Sequence, residues 1–281
     1  MSREENKEIF QDTEKLCKTN PLLIQAWKSS SKLQKLILEN EAVAFEKQIY
    51  EKSANIIVSK KRSFEASMGY DGKNVAVLNF ASASNPGGGV VNGSSAQEES
   101  LCRCSTLYYN LTEDFMWKNF YIPHRRAANP IHNDDLIYTP NVVIFKSDTN
   151  YPRLLPENKW KKVNVITCAA PNLRERPSNA FNSSDGNSAA KISDDELEQI
   201  HIKRGRKILE TAAANKNEVV ILGAFGCGAF MNNPEVVARA AKNVISNYLH
   251  AFEVIEFAVY CSPRDDSNYK IFERVMKSLT K

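Results

Sequence analysis

The chain has 281 residues, of which 42% are hydrophobic and 25% are charged, and its net charge is +4. This composition is ordinary for a globular protein, and the length is sufficient for one large domain or two small ones with a buried core. The charge is too small to indicate nucleic-acid binding by itself, and no apolar stretch approaches the roughly 18 residues that a membrane span needs.

Cysteine usage and the first residues of the chain predict a cytoplasmic protein. The six cysteines show no spacing typical of a secreted disulfide framework, so we interpret them as reduced thiols. The first residues are charged and lack the apolar segment of a secretory signal. We therefore expect a cytoplasmic monomer with no membrane segment.

The pattern before residue 55 predicts two helices. Apolar residues recur at helical spacing over 3–18, and an Asn-Pro pair then interrupts the pattern. A second helical pattern covers about 29–49. We expect residues 1–54 to form a helical extension ahead of a main domain at 55–281.

From residue 55 onward, short apolar segments alternate with amphipathic helical patterns. This alternation predicts an α/β fold, a three-layer α/β/α sandwich with a mixed sheet. Ser193 and Glu196 match a capping box that begins a helix running toward Ala213. Residues 112–140 and 171–192 are expected to be irregular, the second as a mobile polar loop. Strands are predicted at 55–59, 75–80, 142–145, 163–168, 219–223 and 255–261, and further helices after Gln97, at 237–248 and at 269–279.

Two glycine-rich loops each follow a predicted strand and precede a predicted helix. A glycine triplet at 87–89 follows the strand at 75–80, and a second loop at 223–230 follows the strand at 219–223. Glycine lacks the Cβ that would keep a ligand away from the backbone, and amides at a helix start bind anions. Two such loops suit a diphosphate; the alternative is a pair of tight turns without a ligand.

Seven residues separate the glycine triplet from Gln97, Glu98 and Glu99, which stand at the expected start of a helix. Adjacent helical side chains diverge by about 100°. We therefore expect one carboxylate to transfer protons while the other orients hydroxyls, which suits hydrolysis of a sugar–phosphate conjugate. Two surface glutamates that only stabilise the helix dipole are the alternative, which the adjacent glycine loop disfavours. The four histidines match no metal-ligand spacing, so we predict neither a metal nor another cofactor.

At these residues the chain resembles the poly(ADP-ribose) glycohydrolase family, in particular its compact microbial type, which is built on a macrodomain. The family motif is a glycine triplet, a short spacer and Gln-Glu-Glu, as at 87–99 here. The sequences at 78–82, 166–172 and 223–230 also fit the family. The resemblance covers about residue 55 to the end of the chain.

The resemblance implies a metal-independent glycoside hydrolase that cleaves the ribose–ribose O-glycosidic bond and releases ADP-ribose. The tyrosine-bearing clasp of vertebrate members is not evident, which favours cleavage from chain ends. By this resemblance Glu99 is the catalytic acid/base, Glu98 holds ribose hydroxyls, and Phe230 packs against the terminal ribose. Ser82 is an alternative to Asn85 as the ligand contact before the glycines. The other predicted substrate contacts are Gly87, Gly88, Gly89, Val90, Gln97, Gly226, Cys227, Gly228 and Ala229.

Two other functions stay open. The first is an ADP-ribosyl hydrolase that acts on mono-ADP-ribosylated protein or nucleic acid. The basic clusters at 60–62, 124–126, 159–162 and 203–207 and the polar loop at 171–192 allow this function. The second is a non-catalytic macrodomain that binds ADP-ribose, although such a domain has no use for Gln-Glu-Glu at this spacing. In every case the expected partner is ADP-ribose, poly(ADP-ribose) or an ADP-ribosylated macromolecule. Nucleic acid is expected only as a modified substrate.

Overall fold

The computed structural model describes residues 1–179 and 183–280, and within them seven strands form one mixed sheet. The strands are β1 (Lys35–Ile37), β2 (Asn55–Ser59), β3 (Val75–Phe80), β4 (Leu136–Ile144), β5 (Lys161–Cys168), β6 (Val219–Leu222) and β7 (Val254–Ala258). Their order in the sheet is β1-β4-β5-β3-β6-β7-β2. Strand β4 is antiparallel to both of its neighbours, and the other neighbouring pairs are parallel.

The helices are α1 (Arg3–Thr19), α2 (Pro21–Ser31), α3 (Ser63–Ser67), α4 (Gln97–Cys104), α5 (Leu107–Leu111), α6 (Asp114–Met116), α7 (Ile122–Ala127), α8 (Asp194–Ala214), α9 (Pro234–Ile245) and α10 (Ser267–Met276). A π-helical turn (Trp117–Tyr121) joins α6 to α7. No helix in the described parts of the chain is long and apolar enough to cross a membrane.

Helices cover both faces of the sheet and give it three layers. Val75 and Val77 of β3 belong to a core that includes side chains of α1, α3, α4 and α5. Ala76 and Leu78 belong to a second core that includes side chains of α8, α9 and α10. Because alternate residues of β3 enter opposite cores, the strand is apolar from Val75 to Leu78. The predicted α/β/α sandwich with a mixed sheet is confirmed.

The helices and strands with the clearest sequence patterns are present. The helical pattern at 3–18 is confirmed as α1, and the predicted capping box begins α8. Ser193 Oγ accepts the Glu196 N–H at 3.2 Å, and Glu196 Oε2 accepts the Ser193 N–H at 2.7 Å. All the predicted strands are present: β2 and β3 have the predicted bounds, and the others have shifted ends, most of all β4, which begins at residue 136 rather than 142.

The second predicted helix, at 29–49, is wrong. Asn20 is the N-cap of α2, and its Oδ1 accepts the Leu22 N–H at 2.9 Å, so α2 begins at Pro21 and ends at Ser31. Residues that carried the helical pattern form β1, which pairs antiparallel with β4 at the edge of the sheet. Part of residues 1–54 therefore completes the sheet, and the division at residue 54 stays a prediction.

The expectation of irregular structure at 112–140 is also wrong. This segment contains α6, the π-helical turn, α7 and the beginning of β4. Pro123 lies at the start of α7, directly after the π-helical turn, where the helical hydrogen-bond pattern changes. Pro140 lies in β4 where the register with β5 shifts, between Thr139 and Val142. These two prolines thus lie where the hydrogen-bond pattern of the helix or of the sheet changes.

The described parts of the loop at 171–192 contain no helix, as expected. They are nevertheless anchored, because the buried carboxylate of Asp185 accepts hydrogen bonds from Ser84 Oγ at 2.6 Å and Asn172 Nδ2 at 2.9 Å. The first contact joins the loop to the segment that follows β3, and the second is made within the loop. Three residues of the predicted loop, at 180–182, lie outside the described residues.

Arg204 connects α8 to loops at the carboxyl ends of the strands. Its buried guanidinium donates to Asp134 Oδ1 at 2.8 Å and to the Ala169 carbonyl at 2.8 Å. It also donates to the carbonyls of Ile131 at 2.6 Å and His132 at 3.1 Å. One side chain therefore holds the segment before β4 against the segment after β5.

We predict that Arg204→Met lowers the free energy of unfolding by about 3 kcal/mol, because it leaves Asp134 and three carbonyls without this donor. Denaturant titration measures the change. The exposed Arg206 on the same helix is the matched control, and Arg206→Met should change stability by less than about 0.5 kcal/mol. Equal losses in the two variants would contradict the structural role of Arg204.

Candidate active site

Gln97 attaches the start of α4 to the end of β3. Its Oε1 accepts the Phe80 N–H at 2.9 Å, and its Nε2 donates to the Leu78 carbonyl at 2.8 Å and to Ser63 Oγ at 2.9 Å. The side-chain amide thus replaces backbone partners that β3 loses where the sheet ends. The next two residues of α4 are therefore held at the carboxyl edge of the sheet.

Glu98 is buried beneath the loop that follows β3. Its Oε1 accepts from Asn79 Nδ2 at 3.2 Å, and its Oε2 accepts the Ser82 N–H at 2.8 Å. Both donors are N–H groups, and hydrogen bonds from N–H groups stabilise an ionised carboxylate. Glu98 is only 3% exposed.

Glu99 contacts the glycine triplet and is 7% exposed. Its Oε1 accepts the Gly89 N–H at 2.9 Å. Its Oε2 is buried and has no hydrogen-bond partner among the described residues. One oxygen of this carboxyl group is thus fixed by the loop, whereas the other makes no hydrogen bond.

The two carboxyl groups converge on Gly88. This residue has φ +59°, and a Cβ built on it would lie 2.5 Å from Glu99 Oε1 and 3.1 Å from Glu98 Oε2. The side chains of adjacent helical residues begin in different directions, but the glycine loop folds over α4 and meets both. Glycine is required here by the positive φ and by this close approach.

Burial raises the pKa of Glu98 well above its ordinary value of 4.5, and the neighbouring Glu99 carboxylate adds to the effect against the opposing Ser82 N–H. Burial also raises the pKa of Glu99, against the opposing hydrogen bond from Gly89. Ionisation of both of two adjacent buried carboxyl groups is unfavourable. The pair therefore retains one proton to a higher pH than an isolated, exposed carboxyl group would.

The larger rise in pKa at Glu98 would place this proton there, but the hydrogen bonds favour Glu99 as the residue that holds it. Both oxygens of Glu98 accept from N–H groups, which a protonated oxygen would oppose. A proton on Glu99 Oε2 displaces no hydrogen bond, because this atom has no partner in the part of the chain that the structure describes. The pair therefore combines one carboxylate with one group suited to act as a general acid.

A cavity of about 630 Å³ opens at the two glutamates. This volume lies within the range of about 300–1,000 Å³ that is typical of small-molecule sites. The cavity brings together both glycine loops, although these loops follow different strands. Of the residues predicted from sequence, those that line it are Gly88, Gly89, Gln97, Glu98, Glu99, Gly226, Gly228, Ala229 and Phe230.

Four predicted contacts lie outside this lining in the described chain: Asn85, Gly87, Val90 and Cys227. Val90 is buried in the core, and Asn85 Oδ1 accepts from Arg125 Nη1 at 3.0 Å. Ser82, the alternative to Asn85, does line the cavity. The ligand contacts themselves stay predictions.

Several lining residues were missed from the sequence. They are Arg3, Asn6, Arg62, Asp148, Arg174 and Tyr260, among others. Arg174 lies beside the second glycine loop, with its Cζ 5.6 Å from the centre of the Phe230 ring. Its guanidinium donates to Asn172 Oδ1 at 3.0 Å and to the Pro177 carbonyl at 2.6 Å. The one feature of the sequence that could have indicated Arg174 is its position shortly after the predicted strand at 163–168.

Metal-ligand geometry is not present in the described residues, where no three His, Cys, Asp or Glu side chains come together as a metal site. All six cysteines are free thiols. The polar groups that line the cavity include carboxyl groups, hydroxyl groups, amides and arginines.

Comparison with known proteins identifies the family. The model of the microbial-type PARG catalytic domain matches residues 5–147, which is over half of the chain. The chain belongs to this family. The matched residues include the glycine triplet and both glutamates, whereas the second glycine loop lies beyond them. A search of curated proteins finds no match.

Solved structures of bacterial poly(ADP-ribose) glycohydrolases are similar to this family member over nearly its whole length. The enzyme from Thermomonospora curvata is 26% identical with a TM-score of 0.82, over 97% of this chain and 99% of that chain. The enzyme from Deinococcus radiodurans, in complex with ADP-ribose, is 30% identical with a TM-score of 0.74, over 91% of this chain and 98% of that chain. A further structure from T. curvata, bound to the inhibitor ADP-HPD, has a TM-score of 0.78 and 26% identity over 96% of this chain and 98% of that chain.

We predict that Gly88→Ala in this PARG-family hydrolase lowers the hydrolytic rate by about 10²-fold, because the new Cβ displaces the Glu99 carboxyl group. Steady-state kinetics measure the loss. Gly72 is a matched control: it also has a positive φ, +73°, but a Cβ there meets no atom of the described residues within 4 Å. Gly72→Ala should therefore carry similar backbone strain and keep the wild-type rate. Equal rates in the two variants would contradict the proposed contact.

We also predict that the contribution of the glutamate pair to the free energy of unfolding depends on pH. Because folding raises both pKa values, the folded state holds protons more tightly than the unfolded state above about pH 4.5. The unfolding free energy of the wild type should therefore fall, relative to that of a Glu98→Gln/Glu99→Gln variant, as pH rises from 4 through the folded-state pKa values. Denaturant titrations at several pH values measure the difference. A difference that grows in favour of the wild type would contradict the raised pKa values.

Proposed function

We propose that this protein hydrolyses the ribose–ribose O-glycosidic bond of poly(ADP-ribose) and releases ADP-ribose from chain ends. The observation that carries the proposal is the buried pair Glu98 and Glu99, packed against Gly88 at a cavity that the second glycine loop also lines. Membership of the microbial-type PARG family supports the same activity.

In this proposal the two glycine loops bind the diphosphate of the terminal unit. Gly88 and Gly89 line one part of the cavity and Gly226, Gly228 and Ala229 another. Bare backbone permits close approach, and main-chain N–H groups are suitable donors to phosphate oxygens. Phe230, beside Arg174, would pack against the terminal ribose. Binding energy from the diphosphate then positions the anomeric carbon near the glutamates.

Glu99 would act as the acid and then as the base. The protonated carboxyl group gives its proton to the departing 2′-oxygen while the bond to the anomeric carbon breaks, through a transition state that resembles an oxocarbenium ion. The resulting Glu99 carboxylate takes a proton from water as the water oxygen bonds to the anomeric carbon. Glu99 ends protonated, and Glu98 positions the ribose hydroxyls throughout.

We further propose that the catalytic domain is of the macrodomain type and that the protein works as a cytoplasmic monomer. The mixed sheet, with ligand-binding loops at the carboxyl ends of β3 and β6, supports the first point. The free cysteines are consistent with a reducing compartment. Sedimentation at several protein concentrations tests the monomer.

The central test is Glu99→Gln. We expect it to lower the rate of ADP-ribose release from polymer by about 10²- to 10⁴-fold, which is the usual contribution of general acid–base catalysis. Binding of free ADP-ribose, measured by calorimetry, should persist, because glutamine keeps the acceptor for Gly89. Glu8→Gln, at an exposed position on α1, is the control and should keep the wild-type rate. A Glu99→Gln enzyme as fast as the control would overturn the assignment.

The same assay separates the other candidate functions. Wild-type protein is offered polymer, mono-ADP-ribosylated protein and ADP-ribosylated nucleic acid side by side. We expect the fastest release from polymer. Faster release from either mono-modified substrate would favour an ADP-ribosyl hydrolase instead, and binding without any release would favour a non-catalytic ADP-ribose-binding domain.

A further inference from the structure

The first turn of α1 forms a wall of the cavity beside the glutamate pair. Arg3 and Asn6 line the cavity together with residues 93–96. These four residues lead directly into Gln97, Glu98 and Glu99. The first helix of the chain is therefore part of the site, although no motif marks it in the sequence.

The contact between α1 and this segment is close. Asn6 is 1% exposed, and its Nδ2 donates to the Gly93 carbonyl at 3.1 Å. Gly93 has φ +73°, and a Cβ on it would overlap the Arg3 carbonyl group. The backbone of α1 thus rests on a residue only a few positions before Glu98.

The Asn6 amide has one atom that the protein does not satisfy. Because Nδ2 is committed to a carbonyl, the amide orientation is settled, and Oδ1 is left as an acceptor. This Oδ1 is buried and has no hydrogen-bond partner within residues 1–179 and 183–280. A buried acceptor without a donor is costly, and a bound hydroxyl group would satisfy it.

Arg3 adds an exposed cation to the same wall. The first-turn glutamates of α1 do not line the cavity. Glu5 Oε2 accepts the Ser2 N–H at 2.6 Å in the capping box, and Glu4 pairs with Lys7 at 3.4 Å. The cavity side of this turn therefore offers positive charge and a hydroxyl acceptor, which together suit a sugar phosphate.

We propose that this α1 wall, defined as Arg3, Asn6, Ser94 and Ser95, binds the leaving group, which is the adjoining ADP-ribose unit of the polymer. This inference rests on the proposed function. The terminal unit would occupy the glycine loops, and the group that departs from Glu99 would leave toward the α1 wall, which adjoins the segment that leads into α4. Asn6 Oδ1 would accept from a ribose hydroxyl of that unit, and Arg3 would pair with its phosphate.

The first test uses Arg3→Gln, with poly(ADP-ribose) of defined length as substrate. Free ADP-ribose is the probe for binding at the glycine loops alone. We expect KM for polymer to rise about three- to fivefold, as for an exposed ion pair. The Kd for ADP-ribose should stay at the wild-type value. The increase of KM with salt should be shallower than in the wild type, because one screened ion pair is gone. Lys7→Gln removes the same charge from α1 away from the cavity and should change none of these.

The second test compares Asn6→Ala with Thr13→Val. Thr13 is also buried on α1, and its Oγ1 donates to the Arg103 carbonyl of α4 at 2.6 Å, but it does not line the cavity. Each variant removes one buried hydrogen bond between α1 and the α4 region, so the two should lose similar amounts of melting temperature. Only Asn6→Ala should raise KM for polymer several-fold with ADP-ribose binding unchanged.

Three results would overturn this inference: wild-type KM and salt dependence in Arg3→Gln, an equal rise in its Kd for ADP-ribose, or identical kinetics of Asn6→Ala and Thr13→Val. In each case wild-type turnover of polymer leaves the proposed function intact. A wild-type protein that releases no ADP-ribose from polymer would instead overturn the proposed function, and this inference with it.

Discussion

The contact between the glycine triplet and the first turn of α4 is the constraint on which the site depends. Two neighbouring carboxyl groups are buried there, and burial of charge is unfavourable unless the surroundings supply donors or the group keeps its proton. The loop supplies the Ser82 and Gly89 N–H groups, and only glycine at position 88 lets the backbone come close enough to both glutamates. The same crowding that costs stability raises the pKa values that acid–base chemistry uses.

The rest of the molecule holds this contact in place from several directions. Gln97 ties α4 to the end of β3, and Asn6 and Thr13 tie α1 to the segments on either side of the glutamates. Arg204 holds the loops after β5 and before β4 together. These links are side chains that bond to the backbone of another element. They can therefore fix the position of a loop that has no regular structure of its own.

The cavity follows from the topology of the sheet. Strands β3 and β6 are parallel neighbours, so the loops after them leave the same edge of the sheet although more than a hundred residues separate them. Ligand sites in α/β sheets commonly form at such an edge. The second glycine loop lies beyond the part of the chain that the family model matches, and this adjacency of strands explains how it still lines the cavity with the glutamate pair.

The sequence by itself determined the local features, because they depend on neighbouring residues: the apolar strands, α1, the capping box of α8, and the glycine triplet followed by Gln97, Glu98 and Glu99. It also indicated the α/β/α fold and the family. Only the tertiary structure decided that residues 35–37 form an edge strand and that both carboxyl groups converge on Gly88. It alone placed Arg3, Asn6 and Arg174 at the cavity. These features depend on partners distant in the chain, and local periodicity and spacing carry no information about such partners.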